Sequence, residues 1–223
     1  MRMKEVHPIE ANPANTLLVV VDVQNDFAKV GGLGGASSGP VTPAMAKAMA
    51  GKIAVIRGLV EKARATGVRV MYIQSVRTHE EPEFTIFNYP KILKLGSWGA
   101  EIVDELKPQE GEVVIQKFCH NPFYKTNIEE VLERLVPDPT KHQAIITGGG
   151  IHVCAYDTIM GFYFRNYWTV VPTDGVYGGE EGMRFAMAQF SMPVYPNIFL
   201  TRSDLVHFSR VPKVGVSNLV PNT

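Results

Sequence analysis

The sequence predicts one α/β domain, three layers deep, with a mainly parallel sheet covered by helices on both faces. Three observations carry this reading. Short runs rich in β-branched and aliphatic residues alternate with stretches of helical periodicity along the chain, the pattern of successive strand–helix–strand crossovers. Some of these runs, Leu17 to Val21 and Ala144 to Ile146 among them, are apolar at every position, as strands buried on both faces must be. Finally, Asp22 and Lys117 each end an apolar run and Cys154 follows a third across a glycine turn. Open α/β sheets bind ligands at the carboxyl ends of their strands, so these three residues are expected to converge.

In chain order, residues 1–15 read as an irregular arm, because Pro8 and Pro13 interrupt regular pairing. The first strand is Thr16 to Asp22. Asn25 to Pro43, with its Gly31-Gly32-Leu33-Gly34-Gly35 run, reads as a long mobile loop beside that strand end, suited to act as a lid. Ala44 to Thr66 carries apolar residues at helical spacing and stops at Gly67, where a helix C-cap favours glycine. Val68 to Ser75 is the next strand. Residues 76–100 form a second long irregular region holding Arg77, His79, Phe84, Phe87, Tyr89 and Trp98, and a loop of that length in a compact domain is usually functional.

Gly111-Glu112 turns into a strand ending at Lys117, and Asn127 to Leu135 is an amphipathic helix with Ile128, Val131, Leu132 and Leu135 on one face. His142 to Thr147 is a strand, Ala155 to Asn166 a helix, Trp168 to Pro172 a strand, Gly182 to Ser191 a helix and Ile198 to Thr201 the last strand. The expected organisation is therefore the arm (1–15), one domain (16–208) and a patternless tail (209–223).

With 22 basic and 22 acidic side chains the net charge is zero, and no basic stripe is present, which argues against nucleic acid as a partner. The longest apolar run is far too short to span a bilayer and the N-terminus lacks a signal-peptide core, so a cytoplasmic, membrane-free protein is expected. Cys119 and Cys154 are expected as free thiols in a reducing compartment. The six histidines show no paired ligand spacing, so neither a metal nor another cofactor is expected.

Cys154 is the most informative residue. It follows Gly148-Gly149-Gly150 at the start of a helix, where the helix N-terminus lowers a thiol's pKa and turn amides are left free to donate. The plain alternative is a buried, inert thiol. Asp22 and Lys117 have their own plain alternative, an ion pair at the sheet edge.

With its motifs on the page, the chain resembles the isochorismatase-like cysteine hydrolases, which include nicotinamidase, N-carbamoylsarcosine amidohydrolase and ureidoacrylate amidohydrolase. The resemblance runs from about Thr16 to Asp204. It rests on Asp22-Val23-Gln24-Asn25-Asp26-Phe27, on Gly111-Glu112 with Lys117, Phe123 and Thr126, on Gly148 to Cys154, and on Val170-Val171-Pro172-Thr173-Asp174-Gly175. It implies a Rossmann-like fold of the isochorismatase type, a catalytic triad of Asp22, Lys117 and Cys154, a cis bond at Gly149-Gly150, and an oxyanion hole from the amides of Gly150 and Cys154. It further implies a homo-oligomer and a cofactor-free amidohydrolase that cleaves a small amide, ureide or carbamoyl compound through a thioester.

Two departures bear on these implications. Ile151-His152 stands where relatives commonly have Thr-Asp, and His152 is either a polar replacement in the pocket or an exposed loop residue. Nicotinamidases hold a metal through Asp-x-His after the second strand, and this chain has Ser75-Val76-Arg77-Thr78-His79 there. Phe27, Trp98, Phe123 and Tyr156 are expected as aromatic walls for substrate. Arg77 suits either a substrate carboxylate or a surface ion pair. Cys119 is expected as packing and His120 as a pocket residue. The competing functions are isochorismatase-type ether hydrolysis, against which Cys154 counts, and an inactive relative serving as a binding module, which Ile151-His152 allows.

Overall fold

The structure, a computed structural model, describes residues 8–35, 38–86, 89–136 and 138–210. The first seven residues of the expected arm, including His7, lie outside the described residues, as do Ala36 and Ser37 of the glycine-rich loop, Phe87 of the second loop and 211–223 of the expected tail.

Nine strands and six helices alternate: β1 (Ile9–Ala11), β2 (Thr16–Val21), α1 (Asn25–Ala28), α2 (Pro43–Thr66), β3 (Arg69–Ser75), α3 (Pro82–Thr85), β4 (Val113–Lys117), α4 (Ile128–Leu135), β5 (Gln143–Gly149), α5 (Cys154–Tyr163), β6 (Trp168–Pro172), β7 (Val176–Tyr177), α6 (Glu180–Phe190), β8 (Ile198–Thr201) and β9 (Val206–Phe208) among the described residues. The main sheet has seven strands in the order β4-β3-β2-β5-β6-β8, with β7 beside the end of β5. Every pairing is parallel.

Side chains alternate across β2, which separates two cores. Leu17, Val19 and Val21 face the cluster that holds Ile128, Val131, Ala155, Ile159 and Phe190, from α4, α5 and α6. Leu18 and Val20 face the other, with Ile53, Ile56, Leu59, Val60 and Ala63 of α2. The all-apolar run is thus explained by helices on both faces. Helix α2 starts one residue before the expected Ala44, with Pro43 in its first turn and Thr42 Oγ1 accepting from Met45 N at 3.3 Å. It ends at Gly67, whose φ of +82° is the left-handed C-cap conformation glycine favours.

Four expectations need correction. The arm is regular where it is described: β1 pairs in parallel with β9, and Ile9 and Ala11 are wholly buried in the α2-side core. A three-residue strand offers too little alternation to be read from sequence, and Pro8 lies just before it, where a missing N–H costs nothing. The segment from Asn25 to Pro43 is not one continuous loop, since α1 opens it and the Asp26 carboxylate ties it down by accepting from Leu33 N at 3.1 Å. Strand β5 runs two residues past Thr147, because Gly148 and Gly149 pair with Val176 and Tyr177 of the unforeseen β7. Helix α5 starts at Cys154 itself and closes at Tyr163, short of the expected Asn166, whose φ of +63° is not helical.

Candidate active site

From β2 the chain steps outward through β3 to β4, then returns to the other side of β2 as β5. The carboxyl ends of β2 and β5 therefore flank a crevice where the winding reverses, the usual ligand position in such sheets. Asp22 follows β2, Ser75 closes β3, Lys117 closes β4, and Cys154 opens α5 after β5. Ser75 and Lys117 are paired residues of neighbouring strands, so their side chains emerge together.

Lys117 Nζ donates to Asp22 Oδ2 at 2.9 Å, to Ser75 Oγ at 2.6 Å and to the Cys119 carbonyl at 3.1 Å. Ser75 in turn donates from Oγ to Asp22 Oδ2 and from N to Asp22 Oδ1, both at 3.0 Å. The Lys117 and Asp22 side chains are 0% and 1% exposed. The two form an ion pair, buried rather than solvent-exposed, whose attraction only offsets its desolvation when further hydrogen bonds satisfy both partners. Ser75 supplies those bonds. Asp22 holds its carboxylate with a backbone φ of +49°, a left-handed conformation that costs a residue with a Cβ roughly 1–2 kcal/mol. The Tyr177 hydroxyl donates to its carbonyl at 2.7 Å.

Cys154 is 9% exposed and reaches both charges. Burial opposes the Lys117 ammonium, but the charges of Asp22 and Cys154 outweigh it and hold Lys117 above its ordinary value. For Cys154, burial first and the Asp22 carboxylate second push the thiol up to about 12, against the pull of Lys117. The expectation of a thiol lowered by the helix N-terminus is overturned. The site already holds one compensated ion pair, and a resting thiolate would add a buried negative charge beside Asp22. Ionisation of the thiol is therefore disfavoured beside the buried Asp22–Lys117 pair.

The glycine run has separate reasons at each position. Gly148 has a φ of +96°, and a Cβ there would stand 2.1 Å from the Val21 carbonyl oxygen. A Cβ on Gly149 would stand 2.2 Å from the Tyr177 ring. The Gly149–Gly150 peptide is cis. The amides of Gly150 and Cys154 donate to no acceptor among the described residues, whereas Ile151 N donates to Tyr177 O at 2.8 Å and Ala155 N to Gly150 O at 3.0 Å.

The remaining sequence candidates disperse around this centre. Arg77 is buried rather than at the surface, donating to Val76 O at 2.9 Å and toward Lys117 O at 3.5 Å. Phe27 packs on Ile92, Leu93 and Ala100, and Trp98 is half exposed next to Gly31. Phe123 lies over Gly161, edge-on to Phe162 and beneath Arg165. It lines a cavity of about 280 Å³ beside α5, between Asn121 and Tyr124 on one side and Asp157, Met160 and Phe164 on the other. Tyr156 stacks on Phe190 at 5.2 Å, facing α6. His152 is exposed and its ring rests on Gly178 and Gly182. His120, in contrast, comes to the centre, with Nδ1 3.3 Å from Cys154 Sγ. Cys119 and Cys154 are both free thiols.

Sequence reasoning missed Ser75 and Tyr177 and gave His120 only a place in the pocket, with no contact to the sulfur. Ser75 ends an apolar run as Asp22 and Lys117 do, so the strand-end rule alone was enough to find it. The segment Ser75 to His79 does not fit a metal site. Ser75 is engaged by the ion pair, Arg77 is itself a cation, and His79 Nε2 is 3.0 Å from the Ile92 carbonyl. Among the described residues no group of three or more His, Cys, Asp or Glu side chains converges on a common point, and no helix is long and apolar enough to cross a membrane.

Comparison with known proteins places this geometry among relatives. The family described as "Isochorismatase domain" matches residues 16–195. The ureidoacrylate amidohydrolase RutB of Serratia proteamaculans is 28% identical over 196 residues, covering 78% of this chain and 73% of its own. The crystal structure of N-carbamoylsarcosine amidase from Thermoplasma acidophilum superposes with a TM-score of 0.66 at 26% identity, over 85% of this chain and 97% of that one. A cysteine hydrolase from Pseudomonas syringae pv. phaseolicola shares the fold with a TM-score of 0.71 at 21% identity, over 90% and 94% of the two chains.

Proposed function

The chain belongs to the isochorismatase domain family, and on that premise we propose that it is a cysteine-dependent amidohydrolase acting on the non-peptide carbon–nitrogen bond of a small amide, ureide or carbamoyl compound. The observation that carries the reading is the buried Asp22–Ser75–Lys117 network against the thiol at the start of α5. The relatives named for ureidoacrylate and N-carbamoylsarcosine hydrolysis support the substrate class.

An amide carbonyl is a poor electrophile, so the site must supply a nucleophile, charge stabilisation and a proton for the leaving nitrogen. Because the resting sulfur is protonated, attack and proton transfer are coupled. Cys154 Sγ bonds to the carbonyl carbon as its proton passes to Asp22, and Lys117 balances the negative charge while it moves. The carbonyl oxygen takes the resulting charge and is met by the Gly150 and Cys154 amides, a contribution typically of roughly 3–4 kcal/mol per donor. Asp22 returns the proton to the departing nitrogen as the C–N bond breaks. Water then cleaves the thioester and releases the acid.

Arg77, buried beside Lys117 and His120, is the group in this reading that orients an anionic part of the substrate. Phe27, Trp98 and Phe123 border the approach. His152 and Tyr156 act at a distance, through the α5–α6 packing. A homo-oligomer is part of the proposal, and the exposed Phe118, Tyr124 and Phe164 are surfaces for it to cover.

The test is ammonia release over a set of small amides, ureides, carbamoyl amino acids and lactams. Cys154→Ala removes all release from an active substrate, while Cys119→Ala keeps most of it. Loss in Cys119→Ala with retention in Cys154→Ala overturns the assignment.

A further inference from the structure

We propose that His120 is a second catalytic residue, the base that draws a proton from the water hydrolysing the Cys154 thioester and returns it to the departing sulfur. The proposal rests on the cysteine-hydrolase reading above and assigns a base to the second half-reaction, hydrolysis of the thioester.

Asp22 is buried, and its carboxylate already accepts from Ser75 N, Ser75 Oγ and Lys117 Nζ. It is 1% exposed, and those three donors fill most of its acceptor sites. His120 differs on both counts. The residue as a whole is exposed, yet its Nδ1 lies 3.3 Å from Cys154 Sγ. A water held by that nitrogen is within reach of the carbonyl carbon bonded to the sulfur, and it arrives from the open side of the site.

The step balances without another reactant. His120 Nδ1 takes one proton of the water as its oxygen bonds to the thioester carbon, and the oxyanion faces the Gly150 and Cys154 amides. Collapse re-forms the carbonyl, the C–S bond breaks, and the Nδ1 proton passes to sulfur. The products are the free acid and the resting thiol.

A base must be neutral before it acts. Burial and the cations Lys117 and Arg77 lower the His120 pKa, while Asp157 of α5 and Asp22 oppose them. With Cys154 these are the charged and titratable groups that face the ring from β4, the loop after β3, α5 and the end of β2. The net shift keeps the imidazole neutral at neutral pH. Thioester hydrolysis then falls off as pH drops through a value below that of an ordinary histidine.

The experiment uses p-nitrophenyl acetate as acyl donor, stopped-flow detection of p-nitrophenolate, and intact-mass detection of the acetylated chain. In His120→Asn and His120→Gln the burst rate stays within about threefold of wild type while steady-state turnover falls about 100-fold or more, the usual worth of a general base. Acetyl-enzyme accumulates, added hydroxylamine restores turnover because it needs no base, and the acid limb of the wild-type deacylation profile disappears. A proportional fall of burst and steady state in both variants, or an unchanged steady state, overturns the role of His120. A burst that survives in Cys154→Ala, or no acetyl group on Cys154 in either His120 variant, overturns the nucleophile itself and with it the proposal.

Discussion

Replacing Asp22 by Asn separates two properties that a conventional activated cysteine keeps together, thiol reactivity and turnover. Burial and the Asp22 charge push Cys154 up to about 12, with Lys117 pulling the other way. At pH 8 a thiol of that pKa is about 10⁻⁴ ionised. A like charge in contact shifts a pKa by roughly 1–3 units, so its removal raises the thiolate fraction about 10- to 1,000-fold. The isosteric amide keeps an oxygen for Ser75 N, and Lys117 then has only the sulfur as counter-ion. Iodoacetamide alkylation of Cys154 at pH 8 therefore accelerates by that factor in Asp22→Asn. It slows in Lys117→Met, where the one lowering influence is gone. Amide hydrolysis drops by about 10²–10⁴ in Asp22→Asn, since the proton carrier to the leaving nitrogen is lost. Alkylation followed by mass spectrometry, beside ammonia release on the same folded samples, reads both. If alkylation in Asp22→Asn falls in step with hydrolysis, the carboxylate activates the thiol in the resting state and the charge reasoning is wrong.

Three further outcomes follow from the same geometry. Ser75→Ala removes a buried hydroxyl bridging Lys117 at 2.6 Å and Asp22 at 3.0 Å; urea unfolding should show a loss of about 1–3 kcal/mol, and a loss under about 0.5 kcal/mol contradicts the bridge. Gly148→Ala forces a Cβ to within 2.1 Å of the Val21 carbonyl at a φ of +96°, and a cost of about 3 kcal/mol or more in the same assay is expected, with a near-neutral result refuting the close approach. Dialysis against a chelator leaves ammonia release unchanged, because Arg77 and the engaged His79 do not make a metal site; a loss restored by zinc, iron or manganese would show otherwise.

The main sheet was legible because its signal is repeated and local. Six strand runs and the long α2 carry enough residues for period and caps to be read. The pieces that escaped, β1, β7 and β9, have three, two and three residues. Strands that short exist through a partner distant in sequence, as Ile9 with Val206, and leave no periodicity of their own. His152 shows the same limit on the site side. Its position two residues before Cys154 left the pocket and an exposed loop site equally open, and the turn into α5 leaves it exposed with its ring on Gly178 and Gly182, glycines whose missing side chains make room for it.

What the sequence determined by itself is the alternation of strand and helix, and with it the placement of Asp22, Lys117 and Cys154 at carboxyl ends of a parallel sheet. Backbone direction and side-chain period are local properties, so a chain of this pattern has few other ways to bury its apolar runs. Only the tertiary structure decided that Ser75 joins the ion pair, that His120 reaches the sulfur, and that burial and Asp22 raise the thiol's pKa. Hydrogen-bond partners and pKa values are sums over neighbours, here contributed by four strand ends and a helix. A helix N-terminus acting alone favours a thiolate, but enclosure beside Asp22 opposes it more strongly, and that enclosure comes into being only when the strands are laid side by side.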